Sequence, residues 1–132
     1  MKKYYEVDDS KFPIVVTTLT DIQLTNELFG EYLEYMDSWL NGGKPFVDIH
    51  VLSEGKYMSS EYRIELNNFL KKRSEIVKKM KTGLIMVNSS MVMSMMLKGV
   101  FLFNPPPCPH TVVKTLAEAY TLADRVLKTG KF

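Results

Sequence analysis

Phe46-Val47-Asp48-Ile49-His50-Val51-Leu52 is the run that decides the fold. Its near-continuous apolar character over strand length reads as a β-strand at the centre of a sheet, buried on both faces. It leads into Gly55-Lys56-Tyr57-Met58-Ser59-Ser60-Glu61, where the chain turns and a long helical pattern begins that ends near Met80. A strand that delivers two hydroxyls to a helix N-terminus is a place to cap a helix, hold an anion or accept a phosphoryl group. Ser59 and Ser60 are therefore candidate phospho-acceptors. The plainer reading is that one caps the helix while the other faces water.

Toward the N-terminus, Thr25 reads as a helix cap with Glu27 in the favourable first turn. Phe29, Tyr32, Leu33, Met36 and Leu40 follow the helical period, Trp39 sits beside that stripe, and Gly42-Gly43 closes the helix. Burial of those large side chains, at ~1.5–3 kcal/mol each, would supply most of the helix's stabilisation. Before it, Phe12-Pro13-Ile14-Val15-Val16-Thr17-Thr18-Leu19 is a β-branched strand with Pro13 among its first residues. Tyr4 to Val7 is a short strand, and Asp8-Asp9-Ser10 is the expected turn of a hairpin.

Toward the C-terminus, Tyr62, Leu66, Phe69, Leu70, Val77 and Met80 mark one inner stripe of a single long helix. Lys81-Thr82-Gly83 is expected to separate that helix from the strand Leu84-Ile85-Met86-Val87. Asn88-Ser89-Ser90 turns and caps the next helix, which reaches Lys98, with Phe101-Leu102-Phe103 either extending it or packing irregularly. Asn104-Pro105-Pro106-Pro107 stops any regular helix. Thr111-Val112-Val113 is a last short strand, and Thr115-Leu116-Ala117-Glu118 is a capping box opening a terminal helix with Leu116, Ala119, Tyr120, Ala123 and Leu127 on its apolar face. The order β-β-α-β-α-β-α-β-α predicts one α/β domain over residues 1–132, with a mixed sheet of four to five strands and about four helices.

This order, the chain length and the central strand followed by Met58-Ser59-Ser60 resemble STAS domains, the anti-sigma-factor antagonist fold. The likeness is nearest to bacterial single-domain SpoIIAA-like proteins of uncharacterised role, whose openings resemble Phe12-Pro13-Ile14-Val15-Val16 and whose ends resemble Thr115-Leu116-Ala117-Glu118-Ala119. The resemblance implies a small two-layer β/α sandwich that regulates bacterial signalling by binding a protein partner. It also implies a Ser or Thr at the helix start whose phosphorylation releases a kinase-like partner; that position falls on Ser59, with Ser60 next to it. The family's segment carries an aspartate before the serines and a glycine after them, whereas here Met58 precedes and Glu61 and Tyr62 follow.

Composition removes several function classes. The single cysteine, Cys108, rules out an internal disulfide framework and a multi-cysteine metal site. No apolar signal region follows Met1-Lys2-Lys3-Tyr4-Tyr5-Glu6, and the run Met91 to Phe103 is interrupted by Ser94, Lys98 and Gly99, short of the ~20 apolar residues of a membrane span. The expected home is the cytosol, without stable membrane insertion. Net charge is only +2, yet residues 1–66 hold 6 Lys/Arg against 12 Asp/Glu and residues 67–132 hold 11 against 3. The basic excess, including Lys71-Lys72-Arg73 and Lys78-Lys79-Lys81, has no aromatic interleaving, so it reads as a solvated helix face and not as a nucleic-acid surface. The seven glycines are dispersed and match no nucleotide fingerprint, and no cofactor is expected. Asp48, His50, Cys108 and His110 form no metal signature by spacing and are read separately, as packing and loop residues; no reaction centre and no enzymatic activity are expected.

Met86, Met91, Met93, Met95 and Met96 crowd one region. A helix through 90–98 places Met91 and Met95 on one line, Val92 and Met96 on another, and Met93 around the far side. Thioethers fit irregular partners, so Met91, Met93 and Met95 are the expected interaction surface, with a homodimer among its uses. Two functions follow. The first is a non-catalytic regulatory interaction module; the alternative is a binding domain for a small apolar ligand or lipid. An enclosed apolar pocket of on the order of a few hundred Å³ favours the second, and a packed interior favours the first.

Overall fold

In the computed structural model, which describes residues 3–52 and 58–132, the chain runs β1 (Tyr5–Lys11), β2 (Ile14–Leu19), α1 (Asn26–Leu40), β3 (Phe46–Val51), α2 (Ser60–Lys72), α3 (Ser74–Met80), β4 (Lys81–Val87), α4 (Met91–Phe103), β5 (His110–Val113) and α5 (Leu116–Thr129). Gly55-Lys56-Tyr57, part of the expected turn, lies outside the described residues. The five strands form one mixed sheet in the order β1-β2-β3-β4-β5, antiparallel at β1–β2 and parallel elsewhere. All six residues of β3 are buried, as the apolar run requires of a strand in the third of five positions.

Strand alternation sorts the core onto two faces. On one, Ile14, Val16, Val47, Ile49, Val51, Ile85, Val87 and Val113 meet Ala119, Ala123 and Val126 of α5. The two alanines and Gly83 let α5 lie close; a Cβ on Gly83 would come within 2.9 Å of Phe132 and 3.3 Å of Val126. On the other face, Tyr32 and Met36 of α1 pack with Tyr4, Leu19 and Phe69, while Leu40 packs with Val15, Phe46, Val77 and Met80. Helix α4 crosses from β4 to β5 on that same side.

The α/β sheet is the expected one, and several details refine it. The helical cover is divided, with α5 on the face opposite α1, α2 and α3. There are five helices among the described residues, because the long helix breaks at Arg73, whose backbone leaves helical geometry (φ −108°, ψ 14°). Its guanidinium folds back onto Asp37 of α1, at 2.5 and 3.0 Å, and over the Phe69 ring. The hairpin does not turn at Asp8-Asp9-Ser10. There the Asp8 carboxylate accepts from the Ser10 amide and hydroxyl at 3.0 and 2.6 Å, the ladder shifts register, and β1 continues to Lys11 before reversing at the cis Phe12–Pro13 bond. Lys81-Thr82-Gly83 is not a separator but the start of β4, and α4 runs through Lys98 and Gly99 to Phe103.

Candidate functional site

Asp48 and His50 are two residues apart on β3, so both project to the α1 face. They are joined there: Asp48 Oδ1 lies 2.7 Å from His50 Nδ1, and His50 Nε2 lies 2.9 Å from the Tyr32 hydroxyl on α1. A bulge supplies the fourth member. Phe46 pairs with Lys81 but Val47 with Gly83, so one step on β3 corresponds to two on β4. The extra residue turns Lys81 away from the α5 face shared by Gly83, Ile85 and Val87 and onto the face of Phe46 and Asp48. Its ammonium reaches Asp48 Oδ2 at 2.9 Å.

All four side chains are buried; Asp48 is 4% exposed and Lys81 7%. Burial alone would raise the Asp48 carboxyl, but His50 and Lys81 beside it outweigh that and hold it well below the usual carboxylate range. Tyr32 is pushed the other way, well above the usual phenol range, by burial and by the Asp48 charge. From the sequence, Asp48 and His50 stand as separate residues; the structure corrects this by gathering them with Tyr32 and Lys81 into one polar row.

That row forms part of the wall of a chamber of about 940 Å³ that is half open to solvent. Tyr32, Asp48, His50 and Lys81 line it, and the rest of the described lining is dominated by apolar side chains, among them Leu66 and Leu70 of α2, Met86 of β4, and Met93 and Leu97 of α4. Met58, Ser60 and Cys108 line it as well.

Cys108 is half-buried. Burial pushes its thiol up to about 11, with Lys81 opposing the shift and Asp48 adding to it, so it stays protonated at neutral pH. His110 does not pair with that thiol: its Nδ1 donates to the Cys108 backbone carbonyl at 2.9 Å, and its ring stands edge-on to Phe101. Among the described residues no group of three or more His, Cys, Asp or Glu is placed to hold a metal ion, and no helix is long and apolar enough to cross a membrane.

Ser59 is the N-cap residue of α2, but its side chain accepts no capping hydrogen bond; Ser59 and Ser60 are both exposed. Met91 and Met95 are exposed on the outside of α4, with Val92, Met96 and Leu102. Met93 is half-buried and faces the chamber instead.

No family model matches the chain, and no curated protein matches it. Among solved structures, it is similar to an uncharacterised protein of the DUF3478 family from Shewanella loihica, described as having a SpoIIAA-like fold. The identity is 13%, the match covers 90% of this chain and 91% of that one, and the TM-score is 0.68. The chain therefore has the SpoIIAA-like fold that its order of elements resembles.

Proposed function

We propose that this STAS-type module is a non-catalytic, cytosolic binding protein that takes a small apolar molecule into the chamber between its sheet and helices α2 and α4. The observation that carries this reading is the chamber itself: about 940 Å³, beside a sheet whose other face is tightly packed. Ligand sites of ~300–1,000 Å³, mostly apolar with a few placed polar groups, are the ordinary form of small-molecule binding. The Cys108 thiol, kept protonated by burial, offers no activated nucleophile beside the row, which supports binding over catalysis.

The test uses the neutral fluorophore N-phenyl-1-naphthylamine. Saturable binding to wild type is expected, with Met86→Trp and Leu97→Trp each weakening it by narrowing the chamber while far-UV circular dichroism stays unchanged. Binding that is non-saturable, or undiminished in both folded variants, overturns the reading.

A second reading is a regulatory protein–protein module with Ser59 or Ser60 as phospho-acceptor. It is supported by the exposed apolar outer face of α4 and by the solvent-facing, uncapped Ser59 hydroxyl. Intact-mass measurement of the protein from its native cell tests it: a phosphorylated fraction that disappears in Ser59→Ala or Ser60→Ala supports it, and none under any growth condition removes it.

A further inference from the structure

We infer that the ligand of the chamber is an amphiphile with a single negative charge, a long-chain carboxylate in kind, whose headgroup docks on the Lys81 ammonium. This rests on the chamber reading above and names the class of molecule. The lining dictates two parts. Leu66, Leu70, Met86, Met93 and Leu97 offer nothing to a polar body, so the bulk of the occupant is apolar. The fully buried polar groups of the lining are this row on the sheet wall, while Ser60, Arg63, Asn67, Lys71 and Ser74 line the chamber from α2 and α3 and are half-buried or exposed, so the buried end of the occupant carries its polar part.

The free valence in that row fixes the sign of the headgroup. The Asp48 charge is already answered by two neighbours, one on each oxygen: His50 at 2.7 Å and Lys81 at 2.9 Å. His50 has both nitrogens occupied, by Asp48 and by Tyr32. An ammonium carries three donors and no acceptor, and the ion pair with Asp48 takes one. Lys81 therefore holds unspent donors in a buried wall, where a charge-assisted hydrogen bond to an anion is strong. Lys71 lines the same chamber and adds to the positive field. A cationic headgroup would meet Lys81 and Lys71 with Asp48 already paired.

Asp48 also sets the number of charges. A headgroup anion on Lys81 lies near the Asp48 carboxylate across the shared ammonium. One negative charge is tolerated there; a second, as on a phosphomonoester dianion, adds repulsion in a low-dielectric wall.

Titration calorimetry with oleate, oleyl alcohol and oleylamine, each below its aggregation concentration, tests this on the full chain. Oleate is expected to bind about tenfold tighter than the alcohol, the difference a hydrogen bond to a charged group makes, with the amine weakest. Lys81→Met alone leaves the buried Asp48 carboxylate with only His50 as a partner, so the comparison variant is Asp48→Asn with Lys81→Met, in which the oleate preference should vanish while the alcohol still binds. A second readout needs no variant: the carboxyl of [1-13C]oleate should titrate at lower pH when bound than in neutral phosphatidylcholine vesicles. Alcohol binding as tight as oleate in wild type, a preference that survives in the double variant, or an upward-shifted bound carboxyl each overturns the inference and leaves the chamber reading standing. Binding of none of the three overturns both.

Discussion

Asp48 is the residue on which the polar row depends, and acid should expose it. Its carboxyl titrates in the folded chain well below its ordinary value of 3.8, so the folded state binds that proton less readily than the unfolded state. Its stabilisation is therefore complete above about 3.8 and is lost progressively as the pH falls through that value toward the depressed folded one. Urea unfolding from pH 6 to pH 2 should show wild type losing stability at the acid end more steeply than Asp48→Asn with Lys81→Met. Parallel pH profiles would show that Asp48 gains nothing from its partners. Removing Lys81 alone is worse than removing the ion pair: Lys81→Met should cost about 3 kcal/mol at pH 7, because the buried Asp48 carboxylate keeps only His50 as a partner, and the added Asp48→Asn should restore most of it. Half of this row is legible in the chain, since residues two apart on a strand share a face and Asp48 and His50 are two apart. Lys81 is not legible, because its orientation comes from a bulge set by how β4 pairs with β3, which no local pattern announces. Tyr32 fits the apolar stripe of α1 so well that its hydroxyl goes unnoticed until His50 lies opposite.

At the level of elements, local chemistry is read well and long-range contacts poorly. The caps of α1 and α5 are where Thr25 and Thr115 place them, accepting from the amides of Leu28 and Glu118, both at 3.2 Å. The break between α2 and α3 is different. The apolar stripe continues across Arg73, and what stabilises the bend is Asp37, 36 residues away on α1. Arg73→Lys should keep the charge but lose the two-pronged contact and the stacking on Phe69. The pair is about a third exposed, so the expected loss is modest, ~0.5–1 kcal/mol by urea unfolding. A loss no larger than that of Arg73→Lys made in an Asp37→Asn background would show that the pair does not couple. The β4–α5 contact is less forgiving. Gly83→Ala places a methyl 2.9 Å from the Phe132 ring and 3.3 Å from fully buried Val126, so the ring must swing and α5 must yield slightly. The expected loss is about 1–2 kcal/mol, visible as a lower urea midpoint at unchanged slope, and partly relieved by Phe132→Ala. A neutral or stabilising Gly83→Ala would mean that α5 is not seated as tightly as its alanines allow.

Across the whole molecule, α4 is the element out of balance with its surroundings. Its inner side, with Met93 and Leu97, lines the chamber, while its outer side leaves Met91 69% and Met95 68% exposed beside Val92 and Met96. Lys98 is its only charged residue. A helix apolar all round belongs in an interior, and an exposed apolar patch of this kind leads to the prediction that another molecule covers it. A second copy of the chain meets the requirement with α4 against α4, burying both outer faces at once. The competing route to a dimer is electrostatic, since residues 1–66 carry 12 Asp/Glu against 6 Lys/Arg and residues 67–132 carry 3 against 11. Salt separates the two, because it screens attraction between exposed charges and leaves apolar contact intact. Sedimentation equilibrium should show a concentration-dependent dimer that persists from low to high salt and is lost in Met91→Lys with Met95→Lys. That variant should still bind N-phenyl-1-naphthylamine as wild type does, because neither side chain lines the chamber. A dimer that dissolves in salt would assign association to the charge halves, and a wild type that stays monomeric at every concentration would end the case for self-association through α4.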